Sequence, residues 1–232
     1  MASILGKPMI ERMIERVTYS RYVERICVAT TDLPIDDELE AVAAQLGVLS
    51  FRGEESDVLG RIVGAVERYK PHLIVELLGD NPLVHSSLID DVIEFYHDSN
   101  VEYAVSVTTE YPFAGPDMKK FPLGIRVQVF PPETIYLCNR LVQDSYYREN
   151  STAFIAENPE LFRIGYFEAI GRWARLHRPD LSFAVNIPKN LLLIKEIFSK
   201  CYFRNRNFSL FDALKITDSD ERLITLMGNN EG

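Results

Sequence analysis

Between residues 7 and 21, Met9, Ile10, Met13, Ile14 and Val17 recur at helical spacing and predict an amphipathic helix, with Pro8 in a first turn where its missing N–H costs nothing. The period then changes. R-I-C-V-A-T at 25–30 is a short β-rich run that ends in the loop chemistry T-T-D-L-P. Helical spacing returns at 36–46 through Leu39, Val42, Ala43 and Leu46, and a brief strand is expected at 48–51. Residues 57–69 predict another helix through Val58, Leu59, Ile62, Val63 and Val66, and residues 73–78 a strand. Ser86 or Ser87 is positioned to cap a helix to about residue 97, and 103–107 reads as a strand.

Alternation of helices with nearly continuous apolar strands predicts an α/β fold with a mainly parallel central sheet flanked by helices. At 111–122 the pattern loosens into Y-P-F-A-G-P-D-M-K-K-F-P, whose length and Pro/Gly content suit a binding loop or lid better than a connection. I-R-V-Q-V-F at 125–130 alternates like a half-exposed strand. Helices are expected at 133–143 and 151–157, a last strand at 183–187, and a helix from Pro188 carrying Leu191, Leu192, Ile194, Lys195 and Phe198. One domain over 1–216 and a polar tail from Thr217 complete the expected organisation, with no internal repeat.

With 232 residues, 47% of them hydrophobic, the chain can bury a substantial core. The formal charge of -9 argues against nonspecific binding to a nucleic-acid backbone, although a metal or a nest of N–H groups could still hold a small phosphorylated ligand. Cys27, Cys138 and Cys201 are far apart and lack C-x-x-C spacing, so buried thiols in a reducing cytosol are expected. No apolar run approaches the ~20 residues that cross a bilayer; the reading is a cytoplasmic protein without a membrane partner.

The candidate chemistry lies where the 73–78 strand stops, at L-L-G-D-N-P-L-V. In an open parallel sheet, ligands bind beyond the carboxyl ends of the strands, and Asp80 falls there, after Gly79, which would permit close backbone approach. Such a carboxylate can hold Mg²⁺ and through it a nucleotide's phosphates; it can equally tie the turn together by accepting N–H bonds. None of His72, His85, His97 and His177 pairs with a Cys or Ser as a triad would, and Trp173 reads as packing. The acidic pairs Glu54-Glu55 and Asp90-Asp91 read as solvated charges.

G-K-P-M-I-E-R-M-I-E-R-V (6–17), V-A-T-T-D (28–32), R-G-E-E-S-D-V-L-G-R (52–61), G-D-N-P-L with L-I-D-D-V-I (79–93) and F-P-L-G-I-R-V-Q-V-F (121–130) occur in a fixed order, continued by E-N-P-E-L-F-R (157–163) and V-N-I-P-K-N (185–190). This ordered set resembles the cytidylyltransferases of acylneuraminate, 3-deoxy-manno-octulosonate and spore coat polysaccharide synthesis. The resemblance implies a nucleotide-diphospho-sugar transferase fold, of the glycosyltransferase-A-like kind, and attack by a sugar hydroxyl on the α-phosphate of CTP to give a CMP-sugar and pyrophosphate. It further implies Asp80 as catalytic metal ligand for Mg²⁺, Arg52 and Asp57 lining the nucleotide pocket, Lys7 near the phosphates, Arg126 and Gln128 facing the sugar, and a homodimer as one available form.

The chain also departs from the family pattern. It begins at M-A-S-I-L-G-K-P, past a loop of the form R-M-G-S-T-R-L-P-G-K, so the first strand of the sheet is expected to be missing with that loop. Either in-frame upstream codons encode them, or the chain is a truncated or catalytically impaired relative acting as a binding or assembly domain. Asn186 stands where the family has a second metal-binding aspartate, and Ile187, Lys189 and Asn190 replace the Thr, Glu and Asp expected to cap the following helix. Leu123, Arg126 and Gln128 replace three acids; Arg126 would suit an acceptor carboxylate or phosphate, or is a solvent-facing arginine. Asn150 stands where many relatives carry histidine.

Overall fold

The computed structural model describes residues 1–110 and 115–227. A two-residue turn through Leu5 and Gly6, both at positive φ, joins β1 (Ser3–Ile4) to β2 (Lys7–Pro8), and α1 (Met9–Val17) follows at once. Next come β3 (Cys27–Thr31), a 3₁₀ turn at Pro34–Asp36, α2 (Asp37–Gln45), β4 (Leu49–Gly53), α3 (Val58–Tyr69) and β5 (Ile74–Glu76). α4 (Ser86–Asp98), β6 (Tyr103–Ser106), β7 (Gln128–Phe130), α5 (Pro132–Leu141), α6 (Ser145–Glu149) and α7 (Ala153–Glu157) lead to β8 (Ile164–Phe167). The chain ends in α8 (Pro188–Cys201), α9 (Leu210–Asp218) and α10 (Glu221–Thr225).

The strands form a mixed assembly rather than a mainly parallel sheet. β3 and β4 pair in parallel as a two-stranded unit, while β5-β7-β6-β8 makes a four-stranded sheet in which β7 is antiparallel to both neighbours. Helices cover both of its faces. Ala104 and Val129 pack toward α4 and α8 with Ile89, Val92, Ile194 and Phe198, whereas Tyr103, Val105 and Phe130 face α3 and α5 with Leu59, Val63 and Ile135. β6 and β7 are therefore buried throughout. The half-exposed strand expected at 125–130 is corrected accordingly: its polar member Gln128 is 1% exposed and accepts hydrogen bonds from the hydroxyls of Tyr103 and Thr152.

Other expectations shift with tertiary context. Residues 183–187 form no strand; Phe183 N–H donates to Leu123 O, but the run is otherwise irregular. α4 is capped not by a serine but by His85, whose Nδ1 accepts from Ser87 N–H at 3.1 Å. Residues 217–227 do not behave as a polar tail: Thr217, Leu223 and Met227 are buried as α9 and α10 pack back on the core. Asp90 and Asp91 are structural rather than solvated, the first accepting from Ser20 and Arg21, the second pairing with Arg172 and Trp173. Cys27 is exposed, contrary to expectation, while Cys138 and Cys201 are buried. The loop expected at 111–122 falls partly outside the described residues.

Candidate functional site

β5 ends at Glu76, and the chain turns through Leu78 to Val84 before α4 begins, with Asn81 N–H donating to Leu78 O and Val84 N–H to Asn81 O. The turn is held from behind by an arginine that apolar periodicity missed. Arg16, 1% exposed in α1, donates to the carbonyls of Leu83 and Val84 and, across the fold, of Phe208, over whose ring it lies at 4.3 Å. Burial lowers its pKa to about 10, which keeps it charged near neutrality. The spacing of Arg12 and Arg16, one turn apart on an otherwise apolar face, was the available signal.

Asp80 sits at the crest of this turn. Its carbonyl accepts from Val185 N–H at 2.9 Å, and that bond brings the 183–187 segment, with exposed Asn186, beside it. Gly124 makes the approach feasible: it lies at φ +82°, and a Cβ there would come within 2.1 Å of the Ala184 nitrogen. Gly79 needs no such explanation, since a Cβ there would meet nothing within 4 Å. The side-chain atom Oδ1 of Asp80 is buried and has no hydrogen-bond partner among the described residues. Desolvation raises the Asp80 pKa and Glu110 adds to it, against the residue's own backbone N–H and the Arg126 charge, which both oppose.

Around it lie Glu76, Glu110 and Arg126. Arg126 Nη1 approaches Glu110 Oε2 at 3.5 Å with its side chain 14% exposed, so the solvent-facing alternative for this arginine is set aside. Ser151 donates to Glu76 Oε1 at 3.0 Å, while Glu76 Oε2 is buried without a partner among the described residues, and burial raises this carboxyl's pKa too. Asn150, next in the chain to Ser151, donates from its amide to Tyr146 O as the C-cap of α6. No group of three or more His, Cys, Asp or Glu side chains among the described residues could hold a metal on its own. A lone carboxylate with an orphaned oxygen still fits Mg²⁺, which characteristically takes one or two protein carboxylates and fills its shell with phosphate and water.

Other residues expected at the site are engaged elsewhere. Lys7 is exposed and pairs with Glu11 at 3.0 Å. Arg52 is bound into the corner between β3 and α2, donating to Thr31 O and Leu33 O and pairing with Asp37 and Glu40. Asp57 caps α3 by accepting from Gly60 N–H and forms a two-pronged pair with Arg148 at 2.8 and 2.7 Å, an ion pair that holds its pKa below the carboxylate norm. Gln128 is corrected as a substrate contact: at 1% exposure its side chain has no surface to offer. Asn190 is corrected in the other direction, since replacing the family's Asp does not remove the cap. Its Oδ1 accepts from Asn186 and Ile187 N–H at 3.2 and 3.1 Å.

The family model for cytidylyltransferases matches residues 1–205. The chain belongs to the cytidylyltransferase family. Among curated relatives, an uncharacterised protein of Methanocaldococcus jannaschii is 34% identical over 160 residues, 69% of this chain and 61% of that protein. The spore coat polysaccharide biosynthesis protein SpsF of Bacillus subtilis is 28% identical over 193 residues, covering 83% of this chain and 74% of that one. The chain thus spans less than two thirds of the first of these relatives. Among solved structures, a cytidylyltransferase from Leptospira borgpetersenii superposes with a TM-score of 0.83 at 23% identity, over 96% of this chain and 87% of that one. A CMP:2-keto-3-deoxy-manno-octonic acid synthetase complexed with CTP does so with a TM-score of 0.61 at 16% identity, over 86% and 90%. The fold is the nucleotide-diphospho-sugar transferase fold and the family the cytidylyltransferases, as the ordered motifs implied.

Proposed function

We propose that this cytidylyltransferase-family chain transfers CMP from CTP to an acidic sugar of a surface polysaccharide. The observation that carries the reading is the orphaned Oδ1 of Asp80, buried at the end of β5 beside Arg126. A metal cation is a partner that satisfies a buried carboxylate oxygen left without a hydrogen bond to a described residue. Asp80 would hold Mg²⁺, with the side-chain oxygen of Asn186 as a neutral companion ligand. When bound, the ion supplies charge neutralisation to the triphosphate.

The remaining work falls to positioning. Arg126 would receive the carboxylate of the sugar, its guanidinium exchanging the 3.5 Å contact with Glu110 for a two-pronged one. The acceptor hydroxyl then forms its bond to the α-phosphorus, the bond to the bridging oxygen breaks, pyrophosphate departs, and the hydroxyl proton is released to solvent. No nucleic acid or membrane takes part.

A second reading, a catalytically impaired relative acting as a binding or assembly domain, draws on the internal engagement of Lys7, Arg52 and Asp57. Pyrophosphate release separates the two. With CTP, Mg²⁺ and a 2-keto-3-deoxy sugar acid, the parent chain is expected to release pyrophosphate, and Asp80→Asn to lose at least about a hundredfold, the scale of removing one electrostatic stabiliser from a transition state. Nucleotide binding without release favours the second reading.

A further inference from the structure

Glu76 is the last residue of β5, and the antiparallel register sets it opposite Gln128 of β7. Ile74 and Phe130, two residues away in each strand, belong to the apolar cluster under α3 and α5, so Glu76 and Gln128 point to that side as well. Ser151, just ahead of α7, donates to Glu76 Oε1 at 3.0 Å, whereas Oε2 is buried with no partner among the described residues. The hydroxyls of Tyr103 and Thr152 both donate to Gln128. Arg126 supplies a positive charge nearby, α5 the Cys138 thiol, which burial pushes up to about 12, and α3 the aliphatic Leu59 and Val63. Asp80 and Glu110 stand beyond the end of the strand, around Arg126.

Ionised, Glu76 would bury a charged oxygen with neither a donor nor a paired cation on it, which is an expensive state. A neutral carboxyl fits the same contacts. Its carbonyl oxygen accepts from Ser151, and a proton on Oε2 turns that atom into a donor in need of one acceptor. Burial raises the pKa of this group, with the Arg126 charge and the Ser151 bond opposing. Mg²⁺ suits the position less well than it suits Asp80, because it carries several waters, which fit a turn better than a ladder position opposite Gln128. Glu76, Ser151 and Arg126 line the same cleft, together with Gly79 and Glu110. A neutral donor beside an arginine in a cleft is a place for an anion.

We propose that Glu76 determines acceptor specificity: it keeps its proton on Oε2 and donates a hydrogen bond to the carboxylate of the acidic sugar that Arg126 holds. The identity of this ligand rests on the transfer reading above. No proton is transferred; ionising Glu76 would remove the donor and set a like charge against the sugar's carboxylate.

Two measurements test it. An infrared difference spectrum between the parent and Glu76→Gln reads the carbonyl stretch of a neutral carboxyl directly, with no ligand present. The second is calorimetric titration with 3-deoxy-manno-octulosonate, without CTP or Mg²⁺, from about pH 5 to 9. Affinity in the parent is expected to follow the infrared band, falling by up to about tenfold per pH unit once the band is lost. Glu76→Gln keeps a donor in place of Oε2 and is expected to bind within about threefold of the protonated parent, without that fall; Glu76→Leu should bind at least about tenfold more weakly. A pH dependence that comes from Asp80 or Glu110 appears in the parent and Glu76→Gln alike, so their difference isolates Glu76, and this comparison decides even if Glu76→Leu does not fold. A band absent at every pH, a Glu76→Gln variant as weak as Glu76→Leu, an affinity that ignores the band, or no binding of the sugar acid to the parent would overturn the proposal. The expected pattern in a chain that releases no pyrophosphate would defeat the transfer reading and keep the Glu76 assignment. Pyrophosphate release without the pattern would do the reverse.

Discussion

The amide of Asn190 faces two kinds of partner at once. Its oxygen accepts from the N–H groups that open α8, and its Nδ2 donates to the carbonyls of Leu226 and Met227, at 3.1 and 2.7 Å. An aspartate could do the first and not the second, which explains in physical terms why an amide stands here once the C-terminal helices pack against α8. Asn190→Asp is expected to cost about 2–4 kcal/mol, two lost bonds plus a carboxylate oxygen turned on two carbonyls, read as a lower urea midpoint and faster hydrogen exchange over 221–227. His85 makes a second prediction at this scale. Burial first, and the Arg16 guanidinium next, push its pKa down to about 4, against about 6.5 in the unfolded chain. Unfolded chains therefore bind the proton that folded ones refuse, so the stability that neutral His85 allows is fully present above about pH 6.5 and is lost as pH falls toward 4. Between pH 7 and 5.5 the loss should be on the order of 1 kcal/mol, and His85→Asn, which keeps a capping acceptor, should remove it. Neither contact was legible in the sequence, because both depend on segments more than thirty residues away in the chain.

At the scale of elements, long amphipathic runs were legible and short irregular ones were not. The helix expected at 57–69 occurs as Val58–Tyr69 with Asp57 as its cap, because the apolar face and the capping residue agree. The strand at 164–167, I-G-Y-F, went unread since a glycine interrupts its β-rich pattern; in the fold that glycine lies against Phe95 and Val101, where a Cβ would come within 2.9 Å of the ring. Residues 183–187 look like a strand but spend their N–H groups on Leu123 and Asp80 instead of on a ladder. Gly124 is the hinge of that arrangement. Gly124→Ala combines a left-handed backbone with an overlap at Ala184 and is expected to destabilise by about 2–5 kcal/mol. If Asp80 is positioned through Val185, the same variant also weakens nucleotide binding under conditions where it remains folded, measurable by calorimetry with CTP and Mg²⁺.

For the molecule as a whole, the family was legible from the order of its motifs, which no single motif would have carried, and the match over residues 1–205 agrees with it. The assembly of the strands was not. Sequence periodicity reports which residues want burial, and it cannot say that β7 enters the sheet antiparallel to both β5 and β6 while β3 and β4 pair apart from it among the described residues. Nor could it show that two neighbouring carboxylates, Glu76 and Asp80, each bury an oxygen without a hydrogen-bond partner among the described residues. Arg52 and Asp57 illustrate the converse, motif residues whose bonds are all accounted for by the corners they build.

The central claim is that Asp80 holds the cation through which CTP binds, and its most direct test is the melting temperature with and without CTP and Mg²⁺, in the parent and in Asp80→Asn. Ligand at about a hundred times its dissociation constant adds about 2.7 kcal/mol to the folded state, which for a chain of this size is a rise of about 5–10 °C. The account predicts that rise in the parent, its dependence on both CTP and Mg²⁺, and its loss in Asp80→Asn, whose unliganded form should melt no lower because a poorly solvated charge has been removed. An equal rise in both proteins, or none in a well-folded parent, would contradict it.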